Sequence, residues 1–500
     1  MPVPINQPEQ VRLDTPVPHL NHFINGAFVP SVQAEATFEN RNPATGELLS
    51  TVALGQAEDV DRAVQAARSA FEKGYWAKMP VKARSQKLQA ISRKILERSE
   101  ALAHAETLDT GKPITESLEG DIPRAAQNFQ FFAEAVAHLH EESYTLDPME
   151  RHFITREPLG VAGLITPWNL PLYLATWKVA PALAMGNSVV LKPAEWTPTT
   201  ANMLAEIIQE VDLPPGVFNV VHGYGHQGAG EALTRHPDVR AISFTGETDT
   251  GKAIMKIASE SLKKLTFELG GKGATVIFED ADLSQAIPTA VRAAFRNQGQ
   301  ICLAGSRLLI QRSILQQTLP DIIAAVEAIP IGDPLDPATR MGSLISREHL
   351  EKVLSYIELG KREGRLLTGG ERLTQPEFLK QGFFIQPTVF TDLPNHSRVC
   401  HEEIFGPVLP IIPFDTEEEA VDLINSTQYG LSASVWSQDV NRCHRVSQNI
   451  RAGVLWINCW FARDLRTPFG GMKASGMGRE GGRYALEFFS ETKAVTYRYQ

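Results

Sequence analysis

Val161-Ala-Gly-Leu-Ile165, running straight into Thr166-Pro-Trp168-Asn169-Leu-Pro171, is the stretch on which the fold turns. A short run of small and branched apolar residues reads as a strand buried on both faces, and the proline-bounded turn after it opens an apolar helical pattern over 171–186. The same unit repeats downstream. Candidate strands are Ser188–Leu191, Val217–Val221, Val239–Phe244 and Ala274–Phe278, separated by helical patterns near 198–211, 227–235, 249–261 and 283–298. Strands and helices alternating at this spacing predict an α/β fold with a parallel sheet covered on both faces. In such sheets ligands sit beyond the carboxyl ends of the strands, where the motifs below fall.

Upstream, Phe23-Ile-Asn-Gly26-Ala-Phe-Val reads as a hairpin about Asn25-Gly26, and Asn42-Pro-Ala-Thr-Gly46 as a turn before a strand near Leu49–Val52. Residues 57–73 have helical spacing with acidic residues in the first turn. Asp121-Ile-Pro123-Arg124 opens another helix, with Phe129, Phe132 and Val136 along one face. A second mixed segment runs from about 274 to 475. The closing Ala494-Val-Thr-Tyr-Arg-Tyr alternates like a strand, to be paired with another subunit or with a ribbon near 140–157.

A chain of 500 residues is too long for one simple core, so two or more lobes are expected. Hydrophobic content of 43% with 21% charged residues is that of a soluble globular protein. A net charge of −10 with no basic run argues against a nucleic-acid partner. Four cysteines without a C-x-x-C pair make no disulfide framework and fit a reducing compartment, and the scattered histidines show no metal-ligand spacing. Met1–Leu20 reads as a loose arm without a signal pattern, and no apolar run is long enough to span a bilayer. No membrane partner and a cytoplasmic location are the expectations.

Chemistry gathers in the turns. Asn297-Gln-Gly-Gln-Ile-Cys302-Leu-Ala-Gly-Ser-Arg307 sets a lone thiol where an alanine-rich helix gives way to an apolar run. A free thiol has a pKa near ~8.5, so a nearby base would raise its reactive fraction. Phe267-Glu268-Leu269-Gly270-Gly271-Lys272, just upstream, offers such a base among glycines that let it move. Asn169 is held at the lip of the sheet with its amide available, and an N–H aimed at a developing oxyanion contributes roughly 3–4 kcal/mol. Lys192-Pro-Ala-Glu195 at a strand tip suits a nucleotide ribose, and the acid there disfavours a 2′-phosphate. Gly223-Tyr-Gly225 and Phe244-Thr-Gly246-Glu247-Thr-Asp-Thr-Gly251 are glycine-bounded turns of the kind that meet phosphates. Glu247 is awkward there unless its side chain turns away. Glu402-Glu403-Ile-Phe405-Gly-Pro407 could supply a second ribose ligand and a ring to back a nicotinamide; taken alone it is an acidic turn with a buried Phe.

Together these segments resemble the NAD(P)-dependent aldehyde dehydrogenase superfamily, in order from about Phe23 to the C-terminus: P-W-N-x-P, K-P-x-E, F-T-G, E-L-G-G-K, G-Q-x-C and E-E-I-F-G-P. The resemblance implies a Rossmann-type cofactor domain (1–139 and 159–273), an α/β catalytic domain (274–475) and a small β oligomerisation ribbon (140–158 and 486–500). It implies a catalytic set of Cys302, Glu268, Asn169 and Lys178. For NAD it implies Ile165, Thr166, Pro167, Trp168, Lys192, Glu195, Gly225, Phe244, Gly246, Gly251, Leu269, Gly270, Glu403 and Phe405. No metal is implied, and the assembly would be a homodimer or homotetramer. Glu247 and Gly273 depart from the Ser and Asn usual in the family.

Asp121-Ile-Pro-Arg124, Trp168-Asn-Leu-Pro-Leu-Tyr-Leu and Trp460-Phe-Ala-Arg463-Asp-Leu-Arg-Thr-Pro-Phe-Gly-Gly471 further resemble the 2-hydroxymuconic and 2-aminomuconic 6-semialdehyde dehydrogenases. Those substrates carry an aldehyde at one end and a carboxylate at the other. Arg124 and Arg463 match the arginines that grip the carboxylate, with Leu170 and Trp177 also at the substrate. A guanidinium fork suits a carboxylate in a way lysine does not. Structural salt bridges, Arg463 with Asp464 and Arg124 with Asp121, are the plain alternative. Ala462 stands where relatives carry a larger apolar residue, so a broad-specificity dehydrogenase of apolar aldehydes stays open, as does a catalytically silent protein of this fold.

Overall fold

The computed structural model describes residues 17–499; most of the proposed N-terminal arm lies outside them. Two sheets organise the chain. The first has eight strands, in the order Gly476–Met477, Lys264–Glu268, Val239–Thr245, Val161–Ile165, Ser188–Lys192, Phe218–Val220, His22–Ile24 and Ala27–Val29. Its five middle strands are parallel, and the short strands at either edge run antiparallel. From Val161–Ile165 the chain winds one way through Ser188–Lys192 and Phe218–Val220, then crosses back to add Val239–Thr245 and Lys264–Glu268 on the other side. That reversal makes a crevice beyond the carboxyl ends of Val161–Ile165 and Val239–Thr245.

Local sequence explains the elements. Every residue of Val161–Ile165 and Ser188–Lys192 is buried, as parallel strands covered on both faces require. Pro171 starts the helix Pro171–Ala184, whose side chains are nearly all buried, so it is apolar all round rather than on one stripe. The helix read over 57–73 spans Ala57–Lys73 and ends on left-handed Gly74. Asn25 and Gly26 both take positive φ in the predicted two-residue hairpin turn.

The second sheet has seven strands, in the order Arg365–Thr368, Thr388–Thr391, Val408–Phe414, Arg307–Gln311, Ala274–Ile277, Ser432–Trp436 and Val454–Ile457. All its pairings are parallel except the first. The closing strand Ser490–Arg498 pairs antiparallel with Glu150–Pro158, and Glu142–Tyr144 completes a ribbon. Of the two partners expected for that strand, the ribbon is found, and the strand's other edge is unpaired among the described residues.

One boundary differs from the sequence reading in a way that matters. The helix expected over 283–298 ends at Phe295. Asn297, Gln298 and Gly299 then take φ of 48°, 57° and 71°. Three left-handed residues in a row turn the chain sharply toward Cys302, and two of them are non-glycine, a strained arrangement that needs support from its surroundings.

Candidate active site

The support comes from side-chain amides. Asn297 Nδ2 donates to the Asn169 carbonyl at 3.1 Å and to the Gln300 carbonyl at 3.2 Å, while Gln298 Nε2 donates to the Ser343 carbonyl at 2.8 Å. Asn169 Nδ2 donates to that same Gln300 carbonyl at 2.9 Å. An Asn amide has a second N–H, and Asn169 lines the cavity that Cys302 also lines. The left-handed turn therefore ties the thiol's loop to the turn that follows Ile165.

Glu268 ends its strand opposite Thr245, and its carbonyl accepts from the Gly246 N–H at 3.0 Å. Both carboxyl oxygens are buried without a hydrogen-bond partner. Burial raises the Glu268 pKa well above the carboxylate range and the nearby Glu480 adds to it, against the pull of Lys178 and Arg463. The Cys302 thiol is pushed up to about 12 by burial, then by Glu403 and Glu268. At rest the thiol thus holds its proton, and a base must take it. A Cβ on Gly271 would lie 2.5 Å from the Cys302 carbonyl oxygen, and one on Gly470 2.8 Å from Glu268 Oε1. Both positions need glycine for close approach.

Lys178, fully buried, donates to Glu480 Oε1 at 2.6 Å and to Ser243 Oγ at 3.0 Å. It stands behind Glu268 rather than bonded to it. Glu403 accepts from the Gly271 N–H at 2.7 Å, and burial pushes its pKa up to about 7. Phe405 has φ of 59°, and its carbonyl accepts from His349 Nε2 at 2.7 Å. Burial drops the pKa of His349 to about 4, which keeps it neutral.

The cavity holds about 500 Å³ and is shared by ten of the residues singled out from sequence: Pro167, Trp168, Asn169, Gly246, Glu268, Leu269, Gly270, Cys302, Glu403 and Phe405. That is the size of a small-molecule cleft. Its lining suits a dinucleotide: the first turn of the helix Thr248–Ala258 for phosphate, the Glu403 carboxylate for a ribose, and the Trp168 and Phe405 rings for an aromatic base. Glu247 is exposed where it meets the cavity. Ile165, Thr166 and Phe244 are buried behind the lining; a Cβ on Gly246 would strike the Phe244 ring, and one on Gly251 the Leu269 side chain. Lys192 bonds Glu195 at 3.0 Å at its own strand tip. Gly225 lies on an exposed loop away from this cavity.

Arg463 does not pair with Asp464, which is held by Arg466 and driven down to about 2 by it. Arg463 Nη1 instead donates to Tyr173 Oη at 2.8 Å, with the guanidinium 3.9 Å from the Phe469 ring centroid and 5.2 Å from that of Trp177. Arg124 does not pair with Asp121 either, because Lys112 takes that carboxylate at 2.6 Å. Both structural salt bridges that would have explained these arginines away are therefore lacking among the described residues. Leu170, which caps the helix Pro171–Ala184, and Trp177, one turn beyond Tyr173 on it, are both buried. Tyr173, Ser243, His349 and Glu480 were not singled out from sequence. Glu480 reaches Lys178 across 302 residues of chain, so no local pattern marks it.

A match to the Aldehyde dehydrogenase family covers residues 28–495. The chain is 47% identical to the 2-hydroxymuconic semialdehyde dehydrogenase of Pseudomonas sp. (strain CF600), over 95% of this chain and 99% of the relative. It is 46% identical to the 2-aminomuconic semialdehyde dehydrogenase of Bos taurus, over 96% and 98% of the two chains. Among solved structures, the NAD+ complex of the Bacillus cereus aldehyde dehydrogenase superposes with a TM-score of 0.94 at 40% identity, covering 99% of this chain and 100% of that one. A partly buried thiol and an unpaired buried carboxyl on one cleft, found in a chain this similar to those proteins throughout its length, lead to one conclusion: the chain belongs to the aldehyde dehydrogenase family, NAD-dependent oxidoreductases that act on aldehydes.

Proposed function

We propose that this chain oxidises a semialdehyde ending in a carboxylate, of the 2-hydroxymuconic or 2-aminomuconic 6-semialdehyde type, to the diacid. The observation that carries the reading is Arg463. Its guanidinium is clasped by aromatic faces and a phenol yet bound by no carboxylate among the described residues, while its charge is felt at Cys302 and Glu268. Arg124 is the second grip.

Cys302 Sγ attacks the aldehyde carbon as its proton leaves to a base, and the second Asn169 N–H with the Cys302 backbone N–H holds the oxyanion. NAD held in the cleft by Trp168, Gly246, Glu403 and Phe405 would supply the hydride acceptor through which the Cys302 thiohemiacetal becomes a thioester. Glu268 then takes a proton from water as the water attacks the thioester, releasing the acid and restoring the thiol. Lys178, fixed by Glu480 and Ser243, tunes Glu268 from behind. The sheet built largely from residues before 274 carries the cofactor, with Lys192, Glu195 and Gly225 toward its adenosine half, and the sheet after 274 carries the thiol. The ribbon of 140–158 and 486–500 joins copies into a homodimer or homotetramer, in the cytoplasm.

The test is NADH formation from 2-hydroxymuconic 6-semialdehyde and from benzaldehyde, with Cys302→Ser as the inactive control. Arg463→Ala and Arg124→Ala each lower kcat/KM for the semialdehyde by at least about tenfold relative to benzaldehyde, the scale of a lost charge-assisted hydrogen bond. Equal losses on both substrates would leave a broad-specificity dehydrogenase.

A further inference from the structure

The Arg463 guanidinium is gripped in an unusual way. Phe469 and Trp177 supply aromatic faces at 3.9 Å and 5.2 Å, and such contacts favour the cation's placement without setting which N–H points where. Direction comes from one bond, Nη1 to Tyr173 Oη at 2.8 Å. Tyr173 is itself held firmly. It is 4% exposed, and its carbonyl accepts from Asn128 Nδ2 at 3.2 Å and from Thr176 Oγ1 at 3.0 Å. Asn128 lies on the helix Ile122–Ala137 that also bears Arg124. The Asn128 bond thus ties Tyr173 to the helix of Arg124, and the phenol's own bond ties it to Arg463.

A phenol that accepts from Arg463 keeps its own O–H to donate, and no protein acceptor for it is found among the described residues. A guanidinium with one N–H on Tyr173 keeps four more. The pair thus presents an N–H and an O–H side by side, which matches the two oxygens of a carboxylate.

We propose that Tyr173 is a specificity-determining residue: it positions Arg463 and adds its own hydrogen bond to the far carboxylate of the substrate. The inference rests on the semialdehyde reading above and names a second group at the same seat. It also explains why a tyrosine, rather than an apolar residue, stands one helical turn before Trp177.

The experiment compares Tyr173→Phe, Arg463→Ala and the double variant on 2-hydroxymuconic 6-semialdehyde and benzaldehyde. Tyr173→Phe keeps the ring and removes only the hydroxyl. It lowers the ratio of the two kcat/KM values, semialdehyde over benzaldehyde, by about tenfold, and the change appears in KM for the semialdehyde rather than in kcat. In the Arg463→Ala background the same substitution changes the ratio much less, because the group it positions is gone. If Arg463→Ala lowers the ratio and Tyr173→Phe leaves it unchanged, the role of Tyr173 is overturned and the semialdehyde reading stands. If Arg463→Ala leaves the ratio unchanged, the semialdehyde reading falls and takes this inference with it. A Tyr173→Phe effect equal in both backgrounds overturns positioning as the cause.

Discussion

Two sets of buried carboxyls lie near the helix Pro171–Ala184, one at Leu172 and one within reach of the charge of Lys178, and they are treated in opposite ways. Glu106, Lys112 and Asp121 form a closed cluster: Lys112 Nζ reaches Asp121 at 2.6 Å and Glu106 at 3.3 Å, and Glu106 accepts from the Leu172 N–H at 3.1 Å. Burial works against the charge of Lys112, yet Asp121 and Glu106 outweigh it and its pKa is raised. Glu268 has no such company; both its oxygens are orphaned. Buried acids with partners hold helices together, and here they fix the helix that carries Tyr173, Trp177 and Lys178. A buried acid without partners costs stability, and it persists where a proton has to be moved.

Breaking each side separates the two kinds. Glu268→Gln lowers turnover by about 10²–10⁴-fold, the usual worth of a general base, measured as steady-state NADH formation. Its stability moves the other way. The folded protein gives up the Glu268 proton at a higher pH than the unfolded chain does, whose carboxyl titrates near 4.5. That acid therefore drains stability progressively above about pH 4.5. The melting temperature of Glu268→Gln consequently exceeds that of the parent by more at pH 8 than at pH 5. A difference that is flat with pH removes the argument.

Lys112→Met does the reverse. It leaves two carboxyls buried without their cation and costs ~3–5 kcal/mol in a urea titration, a loss that grows as pH rises. The smallest effect is a tuning one. Glu480→Gln removes the negative neighbour of Glu268 and leaves Lys178 less neutralised, so the acid limb of the kcat–pH profile moves to lower pH. An unmoved limb means that Glu480 only braces Lys178.

What could be read from the amino acids follows from distance along the chain. Asn169, Glu268 and Cys302 stand in turns bounded by glycine or proline right after strands or helices, and such turns carry their own signature. The parallel character of the sheet was legible from the alternation of short strands and helices, though the order of its strands was not. The C-terminal strand showed in its alternation, and of the two partners the sequence left open, the ribbon near 140–157 is the one it meets in Glu150–Pro158; choosing between them needed the whole fold. Glu480, Tyr173 and the Glu106–Lys112–Asp121 cluster were missed because each acts through residues brought near only by packing. The helix over 283–298 was drawn three residues too long because nothing in Arg296-Asn-Gln announces a left-handed turn; its cause is the distant carbonyls of Asn169 and Ser343.

That turn has a further consequence. Left-handed Asn297 and Gln298 are each disfavoured by about 1–3 kcal/mol on their own, and they hold only while carbonyls from the other segments stay within reach. Gly299 meanwhile presses on the backbone of Gly406, where an added Cβ would come within 2.4 Å of the carbonyl oxygen. The placement of the thiol in this molecule is therefore a gauge of how well its segments are seated, since any shift of the Asn169 or Ser343 carbonyl takes away what holds the turn before Cys302.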